Sequence, residues 1–175
     1  MTYTEILILA VLMHKDRHGY DIKKVAENIF GENMTINNNT LYTCLHKFEE
    51  MDAVNSKIEH ISGKPDRHVY SITEKGREIL REMILDYSQD IAASDYEFFV
   101  RVAFFDIIDP DERRKILKIR RASLMDFVGR MDGIDPTGKQ DNNGYNGSVV
   151  RFIKGQVKSE LKWITSIENE ILGKA

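Results

Sequence analysis

Three amphipathic helical stripes, two β-rich runs around a basic tip, and helical periodicity beyond them predict a mainly α chain. The order of the first part is that of an N-terminal winged helix-turn-helix with a β-hairpin wing. A helical C-terminal dimerisation domain is expected to follow. Residues 1–85 are assigned to the first domain and 86–175 to the second, within a chain of 175 residues.

The elements follow in order. Thr2 and Glu5 have capping-box spacing, and Ile6, Leu9, Ala10 and Met13 continue as a helical apolar set. His18-Gly19 interrupts that pattern. A second helix carries Ile22, Val25, Ala26 and Ile29 on one stripe, with Gly31 as its C′ residue. Met34-Thr35-Ile36 reads as a short bridge or minimal strand. Asn37 or Asn38 caps a third helix whose inner face is Leu41, Cys44, Leu45 and Phe48.

The period then changes. Val54 to Ile61 and Arg67 to Ile72 are β-rich, and Ser62-Gly63-Lys64-Pro65-Asp66 forms the tip between them. Thr73 caps a fourth helix with Ile79, Leu80, Met83, Ile84 and Tyr87 as its apolar positions. A fifth helix is predicted from Asp95 to Ile107. Asp109-Pro110-Asp111-Glu112 starts a sixth, with Asp as cap, Pro at the first helical position and acids in the first turn. It runs to about Met131. A Gly/Asn/Asp-rich loop covers Asp132 to Ser148, and the last helix spans about Ser148 to Leu172.

Composition narrows the function. The net charge is −3, so a generally basic nucleic-acid coat is excluded and any DNA contact must come from a local patch. Residues 1–85 hold 13 acids and 11 bases, yet all five His fall there and their partial protonation would shift the balance. Cys44 is the one cysteine, which excludes a disulfide framework and suits the cytoplasm. The longest apolar run, Ile6 to Met13, is far shorter than the roughly 20 residues of a membrane span. No membrane partner is expected.

Catalytic and metal patterns are weak. His14 and His18 are four apart, but Gly19 ends the regular pattern. Cys44 and His46 point in different directions on a helix. There is no HExxH, CxxC or Gly-rich phosphate loop. No enzyme activity, metal or cofactor is expected.

The third helix is the informative element. Asn39, Thr40, Tyr42, Thr43, His46 and Lys47 mostly lie away from its inner stripe. Its start, Asn37 to Thr40, is uncharged and rich in short hydrogen-bonding groups, as a first turn approaching bases and phosphates requires. The same residues also suit a plain capped surface helix. In the wing, Lys64, Arg67 and His68 have the charge to grip phosphates, and Lys57 is nearby.

Three motifs in order resemble the PadR-type transcriptional regulators. His18-Gly19-Tyr20-Asp21-Ile22 is similar to the motif after that family's first helix. Thr40-Leu41-Tyr42 with Leu45-His46-Lys47-Phe48-Glu49-Glu50 resembles its recognition helix, and Gly63 to Arg77 resembles its wing and the start of the next helix. The helical second half, with the Trp163 helix, resembles the longer-tailed subgroup. His68 stands where Lys is usual, and Lys47-Phe48 replaces the commoner Arg-Leu. The resemblance implies a repressor that binds double-stranded DNA as a homodimer and is released by a small aromatic or hydrophobic effector. It implies Tyr20, Asn38, Asn39, Thr40, Tyr42, Lys64 and Arg67 as the DNA-facing set.

Two further expectations concern the second half. Val150, Val157, Ile164 and Ile171 recur every seven residues and are assigned to dimerisation. The alternative is that this seam packs on Phe99, Phe105 and Phe127 of the same chain. An effector site is expected among the C-terminal aromatics, with Phe99 and Trp163 as its residues; the alternative is that these aromatics are plain core. A rival for the whole protein is a winged-helix protein-interaction module that does not bind DNA.

Overall fold

The computed structural model describes residues 2–31, 34–60, 67–132 and 145–173. Its elements are α1 (Tyr3–Leu12), β1 (Arg17–His18), α2 (Gly19–Phe30), α3 (Asn38–Glu50), β2 (Val54–Glu59), β3 (Arg67–Ile72), α4 (Glu74–Leu85), α5 (Asp95–Ala103), a 3₁₀ turn (Phe105–Ile107), α6 (Pro110–Asp132) and α7 (Tyr145–Gly173). The chain divides into two compact units. One holds Met1–Asp86 with Phe99–Ile108, the other Tyr87–Phe98 with Asp109–Ala175.

In the first unit, α1 is the centre. Every residue from Glu5 to Leu12 is buried, so the helix is covered on all sides by α2, α3, α4 and β3. Its expected one-sided stripe is therefore too narrow a reading. The Thr2 N–H donates to Glu5 Oε2 at 2.8 Å, closing the N-terminus as predicted. Gly31 has φ +76 and ends α2 as its C-cap, one position inside the C′ place read for it. Ile29, expected on the inner stripe, is half-exposed.

The sheet departs from the predicted two-stranded hairpin. It has three antiparallel strands in the order β1-β3-β2. Arg17 pairs with Tyr70 and His18 with Val69, while β2 and β3 pair from Val54–Ile72 to Glu59–Arg67. The short strand is thus Arg17–His18, and Met34–Ile36 forms none. Met34 and Ile36 are instead buried core residues. A two-residue strand has too little sequence for periodicity to register.

Two capped turns hold this unit in register. Asn37 Oδ1 accepts the Thr40 N–H at 2.8 Å, and Thr73 Oγ1 accepts the Gly76 N–H at 3.0 Å. Thr73 also donates its hydroxyl to the Asp52 carbonyl at 2.7 Å. Gly76 sits so near the Ala53 carbonyl that a Cβ there would lie 2.1 Å from its oxygen. Only glycine allows α4 to approach this corner.

In the second unit, α6 packs against α7. Arg120 of α6 is buried and joins three segments. It donates to Glu160 of α7 at 2.7 and 3.0 Å, to Asp95 at 2.5 Å and to the Ala92 carbonyl at 2.6 Å. Its guanidinium lies 5.3 Å from the Phe98 ring centre. Arg121 adds Glu168 at 2.6 Å and Thr165 at 3.0 Å. The fifth helix is shorter than predicted, because the chain tightens into the 3₁₀ turn after Ala103. The last helix begins earlier, at Tyr145, within the stretch read as loop.

Candidate nucleic-acid interface

The third helix offers a neutral polar face. Leu41, Leu45 and Phe48 are buried, and Cys44 is half-buried. Burial pushes the Cys44 thiol up, and the Glu5 carboxylate adds to the rise, so the protonated thiol is favoured. Asn38, Asn39, Tyr42, Thr43 and His46 are exposed, and Thr40 is half-buried. The helix start is held from the side as well as capped, because Lys23 Nζ of α2 donates to Asn38 Oδ1 at 2.9 Å.

Beside this helix lies a cavity of about 350 Å³ lined by His18, Gly19, Tyr20, Asp21, Tyr42, Arg67, His68 and Tyr70. It gathers the start of α2, the outer side of α3 and the central strand β3. Tyr20 is 71% exposed and Tyr42 50% exposed, so neither is a core residue. Tyr70 is the buried floor, with His68 stacked on it at 6.2 Å. Burial raises the Tyr70 phenol, helped by Glu49 and Tyr42. A Cβ on Gly19 would lie 3.0 Å from Tyr42 Oη, so the glycine lets the tyrosine ring settle against the start of α2. His18 is tied on both ring nitrogens, Nε2 to Glu59 at 3.3 Å and Nδ1 to the His68 carbonyl at 3.3 Å. The strand β1 is thereby fastened to the wing.

Of the DNA-facing set, Tyr20, Tyr42 and Arg67 come together on the cavity, while Asn38, Asn39 and Thr40 form the adjoining helix start. Lys64 lies outside the described residues. Reasoning from sequence missed the convergence of His18, His68 and Tyr70 with Tyr20. Strand pairing with β1 creates it, and the His-Gly-Tyr motif was the available signal. Lys47, read as facing away from the inner stripe, is engaged by Glu5 of α1 at 2.6 Å.

In the second unit, Val157, Ile164 and Ile171 are buried within the chain itself, and Val150 is half-buried. Glu160 interrupts the apolar side of α7 and stands there to meet Arg120. The apolar side chains that α7 leaves exposed are Tyr145, Val149, Phe152, Trp163 and Leu172. Trp163 is 40% exposed and meets Phe98 edge-on at 6.0 Å between ring centres. Phe99 is half-buried and belongs to the first unit.

Among the described residues, no helix is long and apolar enough to cross a membrane, and no cluster of His, Cys, Asp or Glu is arranged to hold a metal ion.

Residues 8–82 match the transcriptional regulator PadR-like family. A protein of Lysinibacillus sphaericus, known only as uncharacterized protein X, is 25% identical over 87 residues, which are 50% of this chain and 80% of that protein. Among solved structures, smu.1704 of Streptococcus mutans is 32% identical, over 43% of this chain and 67% of its own, with a TM-score of 0.37. Bacillus subtilis PadR, solved in complex with operator DNA, is 20% identical over 97% of this chain and 99% of its own, with a TM-score of 0.48.

Proposed function

Residues 8–82 make this chain a member of the transcriptional regulator PadR-like family, and from that premise we propose that it is a repressor binding an inverted-repeat operator as a homodimer. The observation that carries this reading is a single surface in the first unit. It joins the Asn38-Asn39-Thr40 helix start to Tyr20, Tyr42 and Arg67 at one cavity edge. Short neutral side chains at the helix start suit base edges and phosphates. Tyrosine hydroxyls and a guanidinium suit the backbone beside them. Two such surfaces in a dimer would meet major grooves about 34–36 Å apart.

The dimer uses a helical face in the second unit. Since Val157, Ile164 and Ile171 are covered within one chain, the face open to a second copy is the exposed set Tyr145, Val149 and Phe152, which recur at helical spacing on one side of α7. An apolar effector acts by favouring one spacing of the two winged domains. Trp163, the sole tryptophan, would report its binding.

Selection of bound fragments from the source genome tests this reading. The expected result is an enriched inverted repeat bound more weakly as salt rises. Arg67→Ala and Lys64→Ala should weaken all sequences alike, and Asn39→Ala should change base preference. Failure to bind any fragment in a salt-sensitive way would leave the protein-interaction reading instead. For the effector, a planar aromatic acid or hydrophobic cation should quench Trp163 and release DNA over one concentration range.

A further inference from the structure

The third helix holds one Lys or Arg, Lys47, and the structure turns it away from the outward face. At 100° per residue, Asn39, Thr43, His46 and Glu50 fall on one line along α3, and all are exposed. Lys47 falls on the flank, in line with Thr40 and Cys44. Its Nζ donates to Glu5 Oε1 at 2.6 Å. Glu5 is only 8% exposed, and its other oxygen is held by the Thr2 N–H at 2.8 Å. The carboxylate is therefore fixed in place before Lys47 reaches it, on a helix buried from Glu5 to Leu12.

Besides the exposed Lys23–Asn38 bond at the helix start, the α3 attachment is mainly apolar. Leu41, Leu45 and Phe48 press it into the core. Apolar contact is non-directional and tolerates small rotations about the helix axis. A charge-assisted hydrogen bond is directional and does not. Reading a base edge needs side chains held within about 0.5 Å and 10–20°. The Glu5–Lys47 pair is the directional contact that ties α3 to a buried group and can supply this.

We propose that Glu5 and Lys47 are positioning residues of the DNA interface: Glu5 holds Lys47 off the DNA, and the pair sets the rotation at which Asn39, Thr43 and His46 meet the bases. The inference rests on the DNA-binding reading above. It has a sharp consequence, because Lys47 then makes no phosphate contact although it lies on the recognition helix.

The test compares Lys47→Met, Glu5→Gln and Arg67→Ala with the unsubstituted protein. Affinity is measured against salt for the enriched genomic fragment and for a mixed-sequence duplex. Methionine keeps an unbranched apolar stem of similar length, and glutamine can still accept from Thr2, so both variants should fold. Arg67→Ala should lower the salt slope by about one, as loss of a phosphate contact does. Lys47→Met and Glu5→Gln should leave the slope unchanged. They should cut the preference for the enriched fragment about tenfold, the cost of one misread base pair. The double variant should be no worse than either single one. A slope that falls by about one in Lys47→Met would show a phosphate contact and overturn the proposal. An unchanged preference, with only a lower melting temperature, would also overturn it, because the pair would then be structural alone. If the unsubstituted protein shows no salt-sensitive binding, the DNA reading itself has failed.

Discussion

Each of the two compact units buries an arginine, and they compensate its charge differently. Arg101, 1% exposed, donates to the carbonyls of Met83 at 3.2 Å, Ile84 at 3.2 Å and Asp86 at 2.9 Å. These are carbonyls that α4 leaves at its C-terminal end, where the helix dipole is negative. Arg120, also 1% exposed, is met by the carboxylates of Glu160 and Asp95. Burial alone would lower the pKa of Arg120, but the hydrogen bonds and charges of Glu160 and Asp95 outweigh it and raise it. These Arg101 contacts are with backbone groups, which no side-chain substitution removes. Arg120 depends on acids 25 and 40 residues away in sequence, so a single change on another element can remove one of its two carboxylates.

The largest expected effect comes from taking Glu160 away from Arg120. Glu160→Ala removes the buried, two-pronged partner and leaves the buried cation with the exposed Asp95 and the Ala92 carbonyl. Breaking a buried pair from one side costs about 3–5 kcal/mol. Trp163 lies in the same unit, so its emission during denaturant unfolding reports the change. The combination Arg120→Met with Glu160→Leu should recover most of the loss, because an apolar pair of similar volume replaces the ions. A loss under about 1 kcal/mol in Glu160→Ala would place this pair with weak surface bridges.

A smaller effect is expected from Arg101→Met. The stem remains buried, and the three carbonyls lose charged donors. At the usual worth of such bonds the cost is about 2–3 kcal/mol, since helix-end carbonyls retain partial satisfaction from the helix itself. Circular dichroism during urea unfolding measures it. Arg101→Lys should recover part of the loss, because an ammonium can still donate to the α4 end. A larger loss than in Glu160→Ala would reverse the ranking of the two units.

These two arginines also mark where reading the sequence ran out. The helices, their caps and the α3 inner face were legible, because period 3.6 and Asn or Thr before an apolar run are local signals. Asn37, Thr73 and the Asp109–Pro110 start all behave as read. The Arg17–His18 strand was not legible, since two residues carry no period and its pairing partner lies about 50 residues on. Glu160 sits beside an apolar seam for a reason that no local pattern carries, since its partner is Arg120 on another helix. For the candidate interface, the sequence pointed to Tyr20, Tyr42 and Arg67 separately. Only the packing of β1 on β3 brings them to one cavity. The same holds for Lys47, whose partner lies at the other end of a 42-residue separation.

The smallest expected effect sharpens the contrast through pH. The first unit also contains a charge partner that titrates, the Glu5 carboxylate facing Lys47. Burial pushes the Glu5 pKa up, but the hydrogen bonds from Lys47 and from the Thr2 N–H outweigh it, and the net direction is down from 4.5. A carboxyl lowered on folding contributes stability that is fully present above its unfolded pKa. That contribution is lost as pH falls through the folded value, because the folded state must then take up a proton it resists. Glu5→Gln has no such proton to bind. Near neutral pH the unsubstituted protein should be more stable by about 1 kcal/mol, the net worth of a charge-assisted bond with one exposed partner. Urea midpoints followed from neutral pH into acid should show a constant gap that narrows only below about pH 4.5, the unfolded carboxyl range. A gap that instead widened in acid would mean that Glu5 is destabilised as an anion, and the Lys47 contact would then not outweigh its burial.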